Sequence, residues 1–284
     1  MKRILVPLNP RSDYNNMLDY AESVVLRSGA ELTVQYSAGS GAVRESRSQY
    51  NHHEPIDAFV EGIRNARARQ QIREICQRLS EHEVPFQLKV VNSYGASAVV
   101  REAEQAEYDL ILMGSYTRPG WFSFLRRALA IKVIGAVKAP VFVVPDRNRF
   151  NEIQHITYAV DLSDYDADII RQVKAIATLF DAKLTIAHVN AQPEGSAKEQ
   201  YLNSLEKTIT DTLDYPKIYY RFFDHADPLA GLKKLINLNE SNIVAMTNRK
   251  KMRARLFSSD QSLTRKMAKE MTVPILAFRK QQSS

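Results

Sequence analysis

The sequence predicts an α/β protein in which two copies of a doubly wound parallel sheet follow one another along the chain. Three observations lead to this prediction. Short apolar runs alternate with amphipathic segments, the two halves repeat each other, and a polar stretch at 145–154 separates them. Strands that alternate with helices form parallel sheets with helices on both faces, and their crossover connections are right-handed.

The repeat is visible in four pairs of aligned segments. They are 2–9 with 154–161 and 29–34 with 181–186 at an offset of 152 residues, then 110–114 with 243–247 at 133 and 139–144 with 273–278 at 134. The offset falls by 19 residues (152 − 133), so the first copy contains an extra segment. Residues 38–55, which include Gly39 and Gly41, are the expected extra loop. We predict domains at 1–146 and 153–284.

Each copy contains five apolar runs with the length of strands. The runs of the first copy are 3–8, 31–37, 85–91, 110–113 and 141–144, and those of the second are 156–160, 183–189, 217–223, 243–246 and 274–278. Between them, apolar residues recur three and four positions apart, which is the spacing of a helix face. Doubly wound sheets bind ligands beyond the carboxyl ends of their strands, where the strand order reverses. The residues directly after the first and fourth strands are therefore the expected site.

Composition indicates an ordinary soluble globular protein. The chain has 284 residues, a net charge of +7, 44% hydrophobic residues and 25% charged residues. Its single cysteine, Cys76, excludes an intrachain disulfide and a cysteine-rich zinc site, and it lies on an apolar helix stripe where a buried, inert thiol is expected. The first residues lack a signal-peptide pattern and no apolar run approaches the ~18 residues of a membrane span. We therefore expect a cytoplasmic location without membrane contact.

Three segments carry a resemblance to a known family. They are Arg3-Ile4-Leu5-Val6-Pro7-Leu8 at the start, Asp109-Leu110-Ile111-Leu112-Met113-Gly114-Ser115 at the fourth strand and Ala139-Pro140-Val141-Phe142-Val143-Val144-Pro145 at the last. Together they resemble the universal stress protein family, and because both copies match, the whole chain resembles a tandem form of it. The resemblance implies two five-stranded parallel sheets with the strand order 3-2-1-4-5, related by pseudo-two-fold symmetry.

The resemblance also implies a nucleotide site. ATP-binding members of the family carry an Asp after strand one and a Gly-x2-Gly-x9-Gly-Ser/Thr motif after strand four. Glycines let backbone N–H groups approach phosphate, and the last pair opens a helix whose N-terminus favours anions. ATP or AMP is therefore the expected ligand, and no cofactor is required.

The first copy departs from that motif at most positions. It has Asn9 where the family has Asp, and it keeps the first glycine as Gly114. Thr117 stands at the second glycine, and Arg127-Ala128 stands at the final Gly-Ser pair. Gly114 and Arg127 are therefore the residues that mark the phosphate position in this copy.

The second copy keeps the carboxylate but loses the glycines. Asp161 follows strand one, Thr247 and Lys250 replace the first two glycines, and Gln261-Ser262 forms the last pair after an insertion of one residue. The second domain is therefore the better candidate site. Its proposed nucleotide- or anion-binding residues are Asp161, Thr247, Arg249 and Ser262.

Positive charge is concentrated where the family places phosphate. Residues 116–138 carry a net charge of +5 and residues 246–280 carry +8, so the rest of the chain carries −6. One interpretation is an anion site in which guanidinium groups replace glycine backbone, because arginine binds phosphate through two hydrogen bonds. The alternatives are a solvated basic loop, or an Arg127 side chain that itself fills the phosphate space.

Two polar residues of the second copy have two interpretations each. Asp161 either accepts a hydrogen bond from ribose or adenine, or satisfies backbone N–H groups at the start of the next helix. His188, at the end of the second strand, either lies near an adenine or packs at the rim of the sheet.

Other chemistry has little support in the sequence. His52-His53-Glu54 lacks the second histidine of a His-Glu-x-x-His zinc motif, because Asp57 stands there, so no metal site is expected. Nucleic acid is not the expected partner, because acidic residues interleave with the arginines of the helix that contains Arg64 and Arg78 and no nucleic-acid-binding motif is present. Neither an esterase nucleophile motif nor a Walker loop occurs.

We therefore predict a non-enzymatic stress-response binding or regulatory protein with an adenine-nucleotide-type pocket in its second domain. The alternative is a scaffold or interaction protein of the same family that binds no nucleotide, with another protein or a second copy as partner. A third class, a slow hydrolase of a phosphate-containing ligand, would need a general base, and only Asp161 qualifies.

Overall fold

The computed structural model forms two compact units, Met1–Phe150 and Asn151–Ser284. It describes residues 1–10, 12, 14–42, 49–51, 55–93, 95–114, 123–145, 148–160, 166–190, 206–207, 209–210, 213–248 and 273–280, with only the backbone described at 123–128. No helix within these residues has both the length and the apolar character needed to cross a membrane.

The first unit alternates strands and helices from its first residues. Its elements are β1 (Arg3–Leu8), α1 (Tyr14–Ser28), β2 (Glu31–Ser37), β3 (Gln49–Asn51), α2 (Ile56–Val60), α3 (Ala66–Glu81), β4 (Phe86–Val91), α4 (Ala96–Gln105), β5 (Leu110–Gly114), α5 (Ser123–Ala136) and β6 (Val141–Val144). Its strands lie in the order β3-β4-β2-β1-β5-β6. The five strands β4-β2-β1-β5-β6 are parallel.

One strand of this unit contradicts the prediction of a five-stranded, all-parallel sheet. β3 pairs antiparallel with β4, with Tyr50 opposite Leu88. It comes from the predicted extra loop at 38–55, so part of that loop is a sixth strand. The physical reason is burial, because Tyr50 is 5% exposed and packs against Phe59 and Phe86 at ring distances of 5.2 and 6.4 Å. This strand covers backbone groups that an edge strand would otherwise leave unpaired.

The second unit repeats the pattern without an added strand among its described residues. Its elements are β7 (His155–Ala159), α6 (Ala167–Leu179), β8 (Lys183–Asn190), β9 (Ile218–Asp224), α7 (Pro228–Leu238), β10 (Ile243–Asn248) and β11 (Ile275–Arg279). Its strands lie in the order β11-β10-β7-β8-β9. All four neighbouring pairs are parallel, so counted within the unit the order is 3-2-1-4-5.

Burial and capping explain why these segments adopt their structures. Every β1 residue except Arg3 is buried, because a central strand of a parallel sheet is covered on both faces. Asn65, Asp166 and Asp227 accept hydrogen bonds from backbone N–H groups at the starts of α3, α6 and α7. Such N-caps each stabilise a helix by about 1 kcal/mol.

Candidate functional site

The carboxyl edge of the second unit brings the ends of its first and fourth strands together. Met246 of β10 lies in register with Ala159 of β7. One residue on, the Thr247 hydroxyl lies 2.9 Å from the hydroxyl of Tyr158, a residue that is 1% exposed. Thr247 is half-buried, so the residue at the first glycine position of the motif contributes a hydroxyl group to this edge.

A histidine lies beside the same edge on the neighbouring strand. The His188 Nδ1 atom is 3.0 Å from the carbonyl oxygen of Val160, the residue that follows β7. Because a carbonyl only accepts hydrogen bonds, Nδ1 must donate. In the tautomer that carries its proton on Nδ1, Nε2 is an acceptor, and the described residues supply no partner for that atom. The backbone of Val160 is fixed as well, since its N–H donates to Ala187 at 2.9 Å.

Helix α7 packs closely against this edge but offers no free anion site. A Cβ atom at Gly231 would lie 2.6 Å from Val189 Cγ1 and 2.7 Å from His225 Cβ, so the close approach of helix and strand requires glycine there. The first turn of α7 is already capped, because Asp227 accepts hydrogen bonds from Leu229 N at 2.8 Å and Ala230 N at 3.4 Å. A carboxylate thus occupies the position that a phosphate would take.

The structure describes only part of the predicted site. Thr247 lies in β10, and Gly114 is the buried last residue of β5, in register with Val144. The backbone of Arg127 belongs to α5, but its side chain lies outside the described residues. Three further predicted residues, and the histidine pair weighed for metal binding, also lie outside the described residues: Asp161, Arg249, Ser262, His52 and His53.

In the first unit, a turn follows β1 at the equivalent edge. Asn9, which stands at the family's Asp position, is buried. Its N–H donates to the Ser12 hydroxyl at 3.0 Å, and its carbonyl accepts from Ser12 N at 2.8 Å. The backbone of Asn9 is therefore satisfied within its own turn.

An open cavity of about 430 Å³ lies beyond the carboxyl end of β2 in the same unit. It is lined by Ala38–Ala42, Arg64 and Asn65. Hydrogen bonds tie its walls together, from Asn65 Nδ2 to the Ala38 carbonyl at 3.2 Å and from Arg64 N to the Ala42 carbonyl at 2.9 Å. Gly39 and Gly41 have φ values of +103° and +66°, a region that glycine adopts without steric cost. The sequence signal for this cavity was the Gly39-Ser40-Gly41 run.

A second cavity, of about 360 Å³, lies at the opposite edge of the second unit. Its lining residues precede or begin strands: Glu152, Ile153, Gln154, Phe180, Asp181, Lys183, Lys217 and Tyr219. The Lys217 ammonium is held by the Asp181 carboxylate at 2.6 Å. Because doubly wound sheets bind ligands at the carboxyl ends of their strands, this amino-end cavity is not the nucleotide site that the fold predicts.

Two further findings concern thiol chemistry and metal binding in the described residues. Burial raises the pKa of the Cys76 thiol to about 12, as expected for an inert structural cysteine. Within the part of the chain that the structure describes, no cluster of three or more His, Cys, Asp or Glu residues could hold a metal ion.

Comparisons with known proteins identify relatives of the sequence and of the fold. A sequence model of the universal stress protein family matches residues 1–145. A solved universal stress protein from Archaeoglobus fulgidus DSM 4304 is 15% identical, with a TM-score of 0.70 over 98% of both chains. The cytoplasmic domain of a prokaryotic cation chloride cotransporter is 8% identical, with a TM-score of 0.57 over 97% of this chain and 94% of that one. At these identities the likeness shows the fold alone, and no curated protein sequence matches the chain.

Proposed function

The chain belongs to the universal stress protein family, and we propose that it is a cytoplasmic stress-response protein that binds an adenine nucleotide at the carboxyl edge of its second unit. The observation that carries this proposal is the hydrogen bond from His188 Nδ1 to the Val160 carbonyl, which fixes the orientation of the His188 ring. It lies directly beside the residue that precedes Asp161 in the chain.

His188 has the chemistry to recognise an adenine. With Nδ1 donating to Val160, the neutral ring offers its Nε2 lone pair, and the exocyclic amino group of adenine is a donor. Two of the described strand ends would then contribute to one ligand, His188 to the base and the Thr247 hydroxyl to a ribose or phosphate oxygen. A ligand held by few polar contacts in a preformed edge is typical of small-molecule sites.

The remaining predicted residues have roles that follow from their chemistry. Asp161 accepts from the ribose hydroxyls or the adenine, Arg249 supplies positive charge to phosphate, and Ser262 supplies a hydroxyl donor. The net charge of +8 on residues 246–280 supports an anionic ligand. In the first unit, Gly114 and Arg127 form at most an anion site without the carboxylate partner for ribose. ATP and AMP remain the candidate ligands.

We propose binding rather than catalysis. Nucleotide hydrolysis would need a group that activates water, and Asp161 and His188 are the residues of the proposed site with suitable chemistry. Because His188 Nε2 is assigned to the adenine here, only Asp161 is left to act on water. The expected role is therefore to sense or carry a nucleotide, with the bound and free forms recognised differently by a protein partner.

Calorimetric titration of ATP, ADP and AMP into the purified chain tests this proposal. We expect micromolar binding that is lost in Asp161→Ala and weakened about tenfold in His188→Ala, the loss of roughly one strong hydrogen bond. His188→Gln, whose amide can donate to Val160 and still accept, should recover part of the affinity. Arg171→Ala, which removes an exposed cation of α6, is the matched control and should bind as the wild type does.

A second candidate function is a scaffold of the same family that binds no nucleotide. The turn at Asn9 favours it, because the backbone N–H and carbonyl of Asn9, at the family's Asp position in the first unit, are both bonded to Ser12. Folded protein that is free of carried-over ligand and gives no heat with any of the three nucleotides would overturn the nucleotide proposal in favour of this one.

A further inference from the structure

β9 is an outer strand with an unusual surface. It lies at the end of the strand order of the second unit, paired only with β8 among the described residues. Two of its aromatic residues are exposed, Tyr219 to 43% and Phe222 to 39%. Long, aromatic outer strands are normally covered, because their unpaired backbone groups are a template for another strand.

The backbone of β9 directs hydrogen-bonding groups away from its neighbour. The Lys217 carbonyl accepts from Leu184 N of β8 at 2.9 Å. Because backbone groups alternate along a strand, Ile218, Tyr220 and Phe222 then direct their N–H and C=O groups outward. The described chain offers one contact to these groups, from the Arg221 guanidinium to the Tyr220 carbonyl at 3.1 Å.

The first unit shows how the same edge is covered. Leu32 pairs with Phe86 in the first unit, and the equivalent Leu184 pairs with Ile218 in the second, so β4 and β9 are equivalent strands. The outer edge of β4 is occupied by β3, an antiparallel strand whose Tyr50 lies opposite Leu88. Counting two residues on from Phe86 and from Ile218 makes Tyr220 the equivalent of Leu88.

We infer that a second copy of this chain covers the edge, and that two β9 strands pair antiparallel about a two-fold axis at Tyr220. Such an axis is perpendicular to the sheet, so residues that lie opposite each other must point to the same face. Tyr219 then lies opposite Arg221 of the other copy, and Ile218 opposite Phe222.

This register is self-complementary. Each Tyr219 ring meets a guanidinium, which is a favourable cation–π pair, and each Ile218 meets an aromatic ring across the strands. Both contacts occur twice because of the symmetry. Moving the axis by one residue to Arg221 would place two guanidinium groups opposite each other, and like charges in that position are destabilising. The sequence of β9 thus fits a second copy of itself as the covering strand.

The interface is expected to be small. One pair of seven-residue strands buries less surface than the standard stable complexes, so the dimer should dissociate on dilution. Its formation does not depend on nucleotide, and its test is independent of the proposed binding site.

Sedimentation equilibrium over a range of concentrations tests the inference. The wild type should pass from a 32.3 kDa species to one of twice that mass as concentration rises. Tyr219→Lys places a cation opposite Arg221 and should weaken the dimer about tenfold. The double variant Tyr219→Lys with Arg221→Glu replaces each cation–π pair with an ion pair and should restore association.

Leu238→Lys is the matched control. It also changes an exposed apolar residue of the second unit to lysine, but Leu238 ends α7 and lies off the β9 edge, so association should be unchanged. A wild type that remains a monomer at the highest concentration would overturn the inference. A dimer that Tyr219→Lys leaves intact would equally overturn it, because the proposed register puts Tyr219 at the interface.

Discussion

Arg78 of α3 holds Glu22 of α1 through two parallel hydrogen bonds, Nε to Oε1 and Nη2 to Oε2, each 2.8 Å long. The same guanidinium reaches Asp19 at 2.6 Å, and His82 Nδ1 lies 3.0 Å from Glu22 Oε2. The Glu22 side chain is only 9% exposed. Arg78 thus turns toward α1 and joins the two helices.

We expect Arg78→Ala to destabilise the first unit by about 3 kcal/mol. Removing one partner of a largely buried ion pair leaves the other charge uncompensated, and this costs more than the pair itself contributes. The measurement is urea denaturation followed by circular dichroism. Arg73→Ala is the control, because the Arg73–Asp57 pair is exposed and should contribute less than ~1 kcal/mol. Equal effects of the two substitutions would contradict the conclusion that the ion pairs of Arg78 stabilise the first unit more than the exposed Arg73–Asp57 pair does.

His155 predicts a pH dependence of stability in the second unit. Burial lowers its pKa below 6.5, and Lys183 and Arg221 lower it further, although the hydrogen bond to the Asn239 carbonyl opposes the shift. The unfolded chain therefore binds a proton before the folded chain does as the pH falls. Stability should decrease as the pH drops below about 6.5 and level off below the folded pKa.

The comparison of His155→Gln with the wild type measures this contribution. His155 Nδ1 donates to the Asn239 carbonyl at 2.6 Å and Nε2 accepts from the Thr185 hydroxyl at 2.7 Å, contacts that a glutamine amide can imitate in part. Urea midpoints between pH 5 and 8 should fall less steeply for the variant on the acid side. Identical slopes for both proteins would show that His155 does not titrate differently on folding.

The Cys76 thiol should be unreactive in the folded protein. It is 3% exposed, and burial raises its pKa to about 12, so the thiolate is about a thousandfold scarcer than at a pKa of 9. Because the chain has one cysteine, labelling with a thiol reagent reports this site alone. We expect no labelling at pH 8 within minutes and one equivalent after addition of urea. Prompt labelling of folded protein would contradict the burial of Cys76 on the apolar face of α3.

Gly231→Ala should destabilise the second unit by about 1–3 kcal/mol, although alanine is normally the better helix former. The added Cβ would overlap Val189 Cγ1 and His225 Cβ, at 2.6 and 2.7 Å. Thermal unfolding measures the change, and Val189→Ala in the same chain should recover part of it by removing one of the two overlaps. A stabilised Gly231→Ala protein would mean that α7 can shift away from β8 at little cost.

Regular strands could be predicted from sequence because their apolar runs are long and recur in both halves. β1 was predicted at 3–8 and observed as Arg3–Leu8, and β7 was predicted one residue late. β3 could not be predicted, because three residues with the single apolar Tyr50 carry no periodicity. Its formation depends on the contact of Tyr50 with Phe59 of α2 and on a longer-range contact with Phe86 of β4.

The candidate site was predicted by its place in the fold rather than by its contacts. Sequence put Thr247 and His188 at strand ends, but it could not show that His188 bonds a main-chain carbonyl 28 positions earlier, because any residue type can supply that carbonyl. The roles of Asp161, Arg249 and Ser262 stay predictions that the proposed titrations test.

Tyr50 provides a final test, of the strand that the sequence did not predict. Tyr50→Ala should detach β3 from the edge of β4, because an aromatic ring that is 5% exposed and packed on two others typically contributes about 3 kcal/mol or more. The Leu32 N–H of β2 donates to the Pro85 carbonyl, so Pro85 directs its backbone groups toward β2. Because this direction alternates along a strand, Leu88, three residues on, directs its own N–H to the other side, toward β3. Hydrogen exchange at the Leu88 amide should therefore accelerate at least tenfold, about 1.4 kcal/mol of lost protection. Val34, in the adjoining strand β2, is the internal control and should keep its protection. Tyr50→Phe should accelerate exchange at Leu88 less than Tyr50→Ala does, because it retains the ring contacts. Unchanged exchange at Leu88 in Tyr50→Ala would mean that residues other than Tyr50 hold β3 in place.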